Sequence, residues 1–259
     1  MSVYSIYFSP TGGTQKVMTV LKNEFGKGIT EINLLSPEND YSAYHFHEED
    51  VCLIGVPSYG GRVPGIVLER LSVMKANNAK AVAVVVYGNR HYDDTLLELK
   101  NELEAIGFQV IAGITANAKH SIFRQYGAGR PDAEDKAELQ TFAKKILCKL
   151  DALQASREKS VSITVPGNFP YKEYPGHPLK PITSQTGCVL CKSCVKKCPT
   201  GAIPWEAPNT TINDLCITCM RCIAICPFDA RKLDREAVDA AAEKMKPAFE
   251  GRKPNELFL

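Results

Sequence analysis

Eight of the ten cysteines fall into two copies of one spacing. Cys188, Cys191, Cys194 and Cys198 are followed by Pro199, and Cys216, Cys219, Cys222 and Cys226 by Pro227. Each copy reads C-x2-C-x2-C-x3-C-P. Structural zinc sites usually pair a C-x2-4-C hairpin with a distant second pair. Here three donors are packed together with a fourth set back, twice over, and no histidine lies between Cys188 and Cys226. Disulfides belong to oxidising compartments and small secreted folds. The chain opens Met1-Ser2-Val3-Tyr4, without a basic and then apolar leader. The expected setting is therefore reducing and cytoplasmic. Cys52 and Cys148 sit in apolar surroundings and are expected as small buried hydrophobes.

The repeated spacing resembles that of bacterial two-cluster ferredoxins. Three thiolates within seven residues can reach three iron corners of one [4Fe–4S] cube. The resemblance implies crossed ligation. Cys188, Cys191, Cys194 and Cys226 would hold one cluster, and Cys216, Cys219, Cys222 and Cys198 the other. The half is an internal duplication, since Cys198-Pro199-Thr200-Gly201-Ala202 recurs as Cys226-Pro227-Phe228-Asp229-Ala230, 28 residues later.

At 259 residues, 44% of them hydrophobic, the chain suits two domains with a real core. The longest apolar run, Ala81 to Tyr87, is far short of a membrane span. A net charge of +2 gives no strong pull toward nucleic acid or membrane. Between Cys188 and Ala230, Lys192, Lys196, Lys197 and Arg221 face Glu206, Asp214 and Asp229, so this module lacks the acidic character of many small ferredoxins.

The N-terminal part alternates apolar strands with amphipathic helices. Strands are predicted over 3–8, 29–34, 51–56, 81–87 and 108–115, and helices over 14–25, 63–74, 95–106 and 133–150. That alternation implies a parallel sheet with right-handed crossovers. Three loops at carboxyl ends of strands stand out. The first reads Ser9-Pro10-Thr11-Gly12-Gly13-Thr14, hydroxyls and glycines that can wrap a phosphate at a helix N-terminus. It is neither a Walker A loop nor a G-x-G-x-x-G fingerprint. The others are Pro57-Ser58-Tyr59-Gly60-Gly61-Arg62 and Gly88-Asn89-Arg90-His91-Tyr92-Asp93.

These loops, in this order, resemble those of flavodoxins over residues 1 to about 150. The resemblance implies a doubly wound five-stranded parallel sheet of order 2-1-3-4-5 that binds FMN. It places the phosphate in Ser9–Thr14 and the ring between Tyr59 and Tyr92, with Gly60 near flavin N5. Arg62 and Arg90 depart from the acidic loops of many flavodoxins and would bring positive charge to the ring. Residues 119–131, polar and glycine-bearing, read first as a surface insertion, with a lid or a docking loop as the alternatives. His91 is the one histidine kept as a site candidate, because it lies in a flavin loop. Prolines at 166, 170, 175, 178 and 181 make a semi-rigid connector whose aromatics Phe169, Tyr171 and Tyr174 should pack on a domain surface. Trp205 is expected to pack.

The resulting expectation is an α/β flavodoxin-like domain over 1–155, a Pro-rich linker over 156–182, an α+β 2[4Fe–4S] ferredoxin-type domain over 183–232, and a closing helix and tail over 233–259. As a whole the chain resembles the flavodoxin–ferredoxin fusion proteins of anaerobic microbes. That implies an electron carrier between FMN, two [4Fe–4S] clusters and redox partner proteins, with a homodimer left open. The alternatives are an FMN-dependent reductase of a small organic acceptor and a redox sensor.

Overall fold

The computed structural model describes residues 2–156, 162–184 and 186–259. Residues 157–161, within the expected linker, lie outside the described residues.

Five parallel strands build the main sheet: β1 Val3–Tyr7, β2 Thr30–Asn33, β3 Val51–Pro57, β4 Lys80–Tyr87 and β5 Gln109–Asn117. Their order is 2-1-3-4-5, the flavodoxin-like doubly wound order. Buried on both faces, β3 and β4 read as nearly continuous apolar runs, because side chains alternate between two cores. One core takes Ile6, Ile54, Ala83 and Val85 with Val67, Leu71, Leu99 and Leu103. The other takes Leu53, Val82 and Val84 with Val17, Met18, Leu21, Leu139 and Ile146. Helices α2 Gly65–Ser72 and α3 Thr95–Ile106 therefore cover one face, and α1 Gly13–Glu24 and α4 Ala133–Ser156 the other.

Several boundaries differ from expectation for local reasons. Helix α2 starts at Gly65 because Pro64, at φ −59° and ψ 128°, is its N-cap. Helix α4 runs six residues past the predicted end, through Ser156. Cys52 is buried, but Cys148 is exposed, on the outer side of α4.

The cysteine-rich part is small. Strands β6 Ile182–Thr183 and β7 Arg231–Lys232 pair antiparallel. Each cysteine run carries a one-turn helix, α5 Ser193–Lys196 and α6 Arg221–Ala224. The duplication is visible in the backbone. Leu190 and Thr218 both have φ 56°, and Lys192 and Met220 both have φ 61°, at positions 28 residues apart. Trp205 is half exposed, with the Lys192 ammonium 4.2 Å from its ring centroid.

The tail then returns to the first sheet. Helix α7 Arg235–Phe249 is followed by β8 Glu256–Phe258, which pairs antiparallel with β5 as a sixth, edge strand. Asn255 explains why the register is specific. Its Oδ1 accepts from Asn117 N (2.8 Å), and its Nδ2 donates to Asp135 Oδ1 (2.9 Å) and Glu138 Oε2 (2.6 Å). In the sequence this tail reads as a separate end piece, because three residues carry too little periodicity to announce a strand. Among the described residues no helix is long and apolar enough to cross a membrane.

Candidate functional site

Helix α1 begins where β1 leaves the sheet, and Gly12 at φ 88° is its N-cap. That left-handed turn is open to glycine at little cost. Ser9, buried, uses its Oγ to accept from Gln15 N (2.9 Å). Lys16 N donates to Gly12 O. The N–H groups of Thr11, Gly12, Gly13 and Thr14 meet no acceptor among the described residues. Four free donors at the positive end of a helix, beside two buried hydroxyls (Ser9 and Thr14), fit a phosphate monoester.

A cavity of about 150 Å³ opens above this loop. Ser9, Thr11, Gly13 and Thr14 form one end, and Pro57, Ser58, Tyr59, Gly60, Gly88 and Arg90 the sheet side. Ligand pockets are usually larger, roughly 300–1,000 Å³. This one shares Thr11, Gly13 and the 119–122 segment with a neighbouring cavity of about 560 Å³, and Tyr59, Tyr174, His177 and Ile217 with a third of about 850 Å³. Together they form a broad space along the carboxyl edge of the sheet.

Six expected site residues do not line the first cavity: Gly12, Gly61, Asn89, His91, Tyr92 and Asp93. Each has another task. Tyr92 is 5% exposed, and its hydroxyl donates to Glu256 Oε2 (2.7 Å) on β8. Asn89 Nδ2 donates to Phe249 O (2.6 Å) and Gly251 O (2.9 Å), fastening the end of α7. Asp93 accepts from Arg90 and from Lys172 Nζ (2.8 Å), and its side chain fills the space beside Gly61. His91 is solvent-facing and hydrogen-bonded to Asp93.

The arginines are paired rather than free. Arg62 makes a two-pronged pair with Glu98, Nε to Oε2 at 2.9 Å and Nη2 to Oε1 at 2.6 Å, and lies 5.0 Å from the Tyr171 ring centroid. Glu98, 1% exposed, also accepts from Val63 N (2.7 Å). The expected positive field at the ring is therefore largely neutralised at Arg62.

Residues that sequence reasoning missed supply the rest of the wall. Tyr174 lies against Gly60, so closely that a Cβ there, at φ 62°, would fall 2.1 Å from its ring. Of the connector aromatics, Tyr171 and Tyr174 pack, whereas Phe169 stays exposed. His120 and Phe123 come from the 119–131 segment, which is not a surface insertion. Phe123 is buried against Phe249 of α7 (centroids 5.7 Å apart). The apolar pair Ile122-Phe123 with Tyr126 three residues on, set in a polar stretch, is the signal that could have shown this. Burial, followed by His177 and Arg90, holds the His120 imidazole down at about 4. Its Nδ1 accepts from Ile122 N (3.1 Å) and Phe123 N (3.0 Å), which leaves the proton on Nε2.

The second cysteine run provides the roof. Ile217 and Thr218 line the first cavity between Cys216 and Cys219. Two arginines fix the junction. Arg70 Nη2 on α2 donates to Pro199 O (2.6 Å), next to Cys198, and Arg221 Nη1 on α6 donates to Pro10 O (3.1 Å) in the Ser9–Thr14 loop. Burial above all, with Cys219 and Tyr174 as neighbours, raises the Tyr59 hydroxyl well above its ordinary value.

Cys188, Cys191, Cys194 and Cys226 line one small cavity together. Cys219 and Cys222 are pushed up to about 12 and about 11, first by burial and further by neighbours that include Cys198 and Cys216. Thiols so buried resist ionising alone, but coordination to an iron cluster supplies the positive charge that deprotonates them. The donor sets thus suit two all-thiolate clusters.

Comparison with known proteins agrees on the second part of the chain. Residues 181–237 match the family model of the 4Fe-4S dicluster domain. No curated protein matches the chain. Among solved structures, the chain is similar to an archaeal flavodoxin (12% identity, 58% of this chain and 99% of that one, TM-score 0.43). It is also similar to flavodoxin 2 of Bacillus cereus (15%, 57% and 99%, 0.42) and to the two-electron reduced flavodoxin of Megasphaera elsdenii (19%, 55% and 98%, 0.38).

Proposed function

We propose that this chain is a cytoplasmic electron-transfer protein that joins a bound FMN to two [4Fe–4S] clusters and serves redox partner proteins in anaerobic metabolism. The observation that carries the reading is the shared cavity: Ile217 and Thr218, inside the second cysteine run, wall the same space as the Ser9–Thr14 loop and Tyr59. FMN would supply one- or two-electron exchange and each cluster one-electron exchange. Ser9, Thr14 and the amides of Thr11–Thr14 would hold the phosphate. Tyr59, Gly60 and Tyr174 would bound the ring, and the roof would exclude water from it. Cys188, Cys191, Cys194 and Cys226 would hold one cluster, and Cys198, Cys216, Cys219 and Cys222 the other.

A second reading, reduction of a small anionic acceptor, is favoured by the 560 Å³ cavity, where Lys16, Lys119, Arg124, Lys232 and Arg235 outnumber Asp229. Anaerobic purification tests the main reading. The expected content is one FMN with about eight irons and eight acid-labile sulfides per chain. Photoreduction of the flavin should then bleach the cluster absorbance. Zinc without sulfide, or a chain that takes up no FMN, would overturn it. Turnover of quinones or organic acids faster than transfer to a ferredoxin would favour the second reading.

A further inference from the structure

Arg231 heads the largest fully buried side chains of the chain, at 2% exposure. A buried guanidinium is normally paired with a carboxylate, since an uncompensated charge inside a protein is costly. Arg231 has no such partner among the described residues. Its Nη1 donates to Thr211 Oγ1 (2.6 Å), and its Nη2 to Pro208 O (2.6 Å) and Thr210 O (2.7 Å), all neutral acceptors. Its Nε is buried without any acceptor. The side chain lines the cavity ringed by Cys188, Cys191, Cys194 and Cys226. Pro208 O, which Arg231 holds, is itself 3.8 Å from Cys194 Sγ.

The duplication makes this placement more pointed. Ala202-Ile203 in the first half corresponds to Ala230-Arg231 in the second, 28 residues on. Ile203 is buried at 4% exposure. The fold therefore accepts an aliphatic side chain at this position in one half and buries a cation in the other. Packing alone does not call for the charge.

We propose that Arg231 is the internal counter-charge of the iron–sulfur cluster held by Cys188, Cys191, Cys194 and Cys226, and sets its reduction potential higher than a neutral side chain would. The inference rests on the iron–sulfur reading above. An oxidised cube of core charge 2+ with four thiolates carries two net negative charges, and one added electron makes three, with no proton taken up. A fixed positive charge inside the low-dielectric region favours the more negative, reduced state. The compensation runs both ways: the cluster is what makes a buried, carboxylate-free guanidinium tolerable.

The test compares the full-length native chain, Arg231→Gln and Arg231→Lys, each purified without oxygen and assayed for iron and sulfide. An EPR-monitored redox titration follows. In Arg231→Gln the midpoint of this cluster should move to more negative potential, so that at the native midpoint the reduced fraction falls severalfold. Arg231→Lys, which keeps the charge with a different shape, should stay close to native. Loaded Arg231→Gln with native potentials would overturn the proposal. So would equal shifts in both variants, which would mean that shape matters and charge does not. If Arg231→Gln fails to load, iron content decides: retention by Lys alone supports the charge, and loss in both overturns it. A native chain without iron would instead defeat the iron–sulfur reading itself.

Discussion

Ser9 and His120 show how single side chains set the chemistry of the cavity. The Ser9 oxygen accepts from Gln15 N, and its proton can be donated to an anionic ligand. Ser9→Ala should therefore cost about 1 kcal/mol of stability as a lost helix cap. It should also weaken FMN binding by about tenfold, as the loss of one charge-assisted hydrogen bond. Riboflavin, which has no phosphate, should bind both forms alike, and fluorescence titration with the two flavins checks this. His120 gives a pH signature. Its folded value of about 4 lies below the ordinary histidine value of about 6.5. The unfolded chain therefore takes up a proton in a window where the folded chain does not. The stability this group contributes is present above pH 6.5 and is lost as pH falls toward 4, on the order of 3 kcal/mol in all. His177 is lowered too, by burial and Lys180, and adds to the same slope. His120→Asn, whose Oδ1 can replace Nδ1 as acceptor, should flatten stability against pH between 7 and 5, measured by denaturant unfolding.

At the scale of elements, the strands and helices of the main sheet were legible because each carries a long local pattern, periodic in the helices and a continuous apolar run in Ala81 to Tyr87. The Ser9–Thr14 loop was legible as a candidate anion site because its chemistry is local to six consecutive residues. The tail was not, since β8 gains its meaning only from β5, more than 130 residues earlier. The aromatic wall failed for the same reason: Tyr92 and Tyr174 are both tyrosines near glycines, and only the tertiary contact with Glu256 takes Tyr92 away from the cavity. Removing residues 251–259 tests what the edge strand contributes. The deletion strips Asn255 from Asn117 and Asp135, Glu256 from Tyr92 and Thr115, and Arg252 from Asp132. With buried acceptors left unpaired, a loss of about 3–5 kcal/mol is expected, a fall of about 10 °C in Tm. Scanning calorimetry reads it.

For the whole molecule, the cysteine spacing specified two metal-binding sets but not where they sit relative to the first domain. That placement depends on Arg70 and Arg221, which look like ordinary surface cations in the sequence. It makes the two sets unequal. Ile217 and Thr218 belong to the run that carries Cys216, Cys219 and Cys222, and they wall the cavity beside the Ser9–Thr14 loop. Cys188, Cys191 and Cys194 line a separate cavity with Cys226. Cys216→Ser or Cys219→Ser should therefore disturb the flavin: the roof loosens, FMN binds about tenfold more weakly, and its visible band shifts. Cys188→Ser or Cys191→Ser should remove as much iron while leaving the FMN spectrum and affinity near native. Under crossed ligation Cys198→Ser behaves as the first pair and Cys226→Ser as the second, although each lies in the opposite run. Anaerobic FMN titration of the six variants, with iron counted in each, checks all of this at once. If Cys198→Ser grouped with Cys188→Ser instead, each run would hold its own cluster and the shared-cavity route to the flavin would have to start from a different set of thiolates.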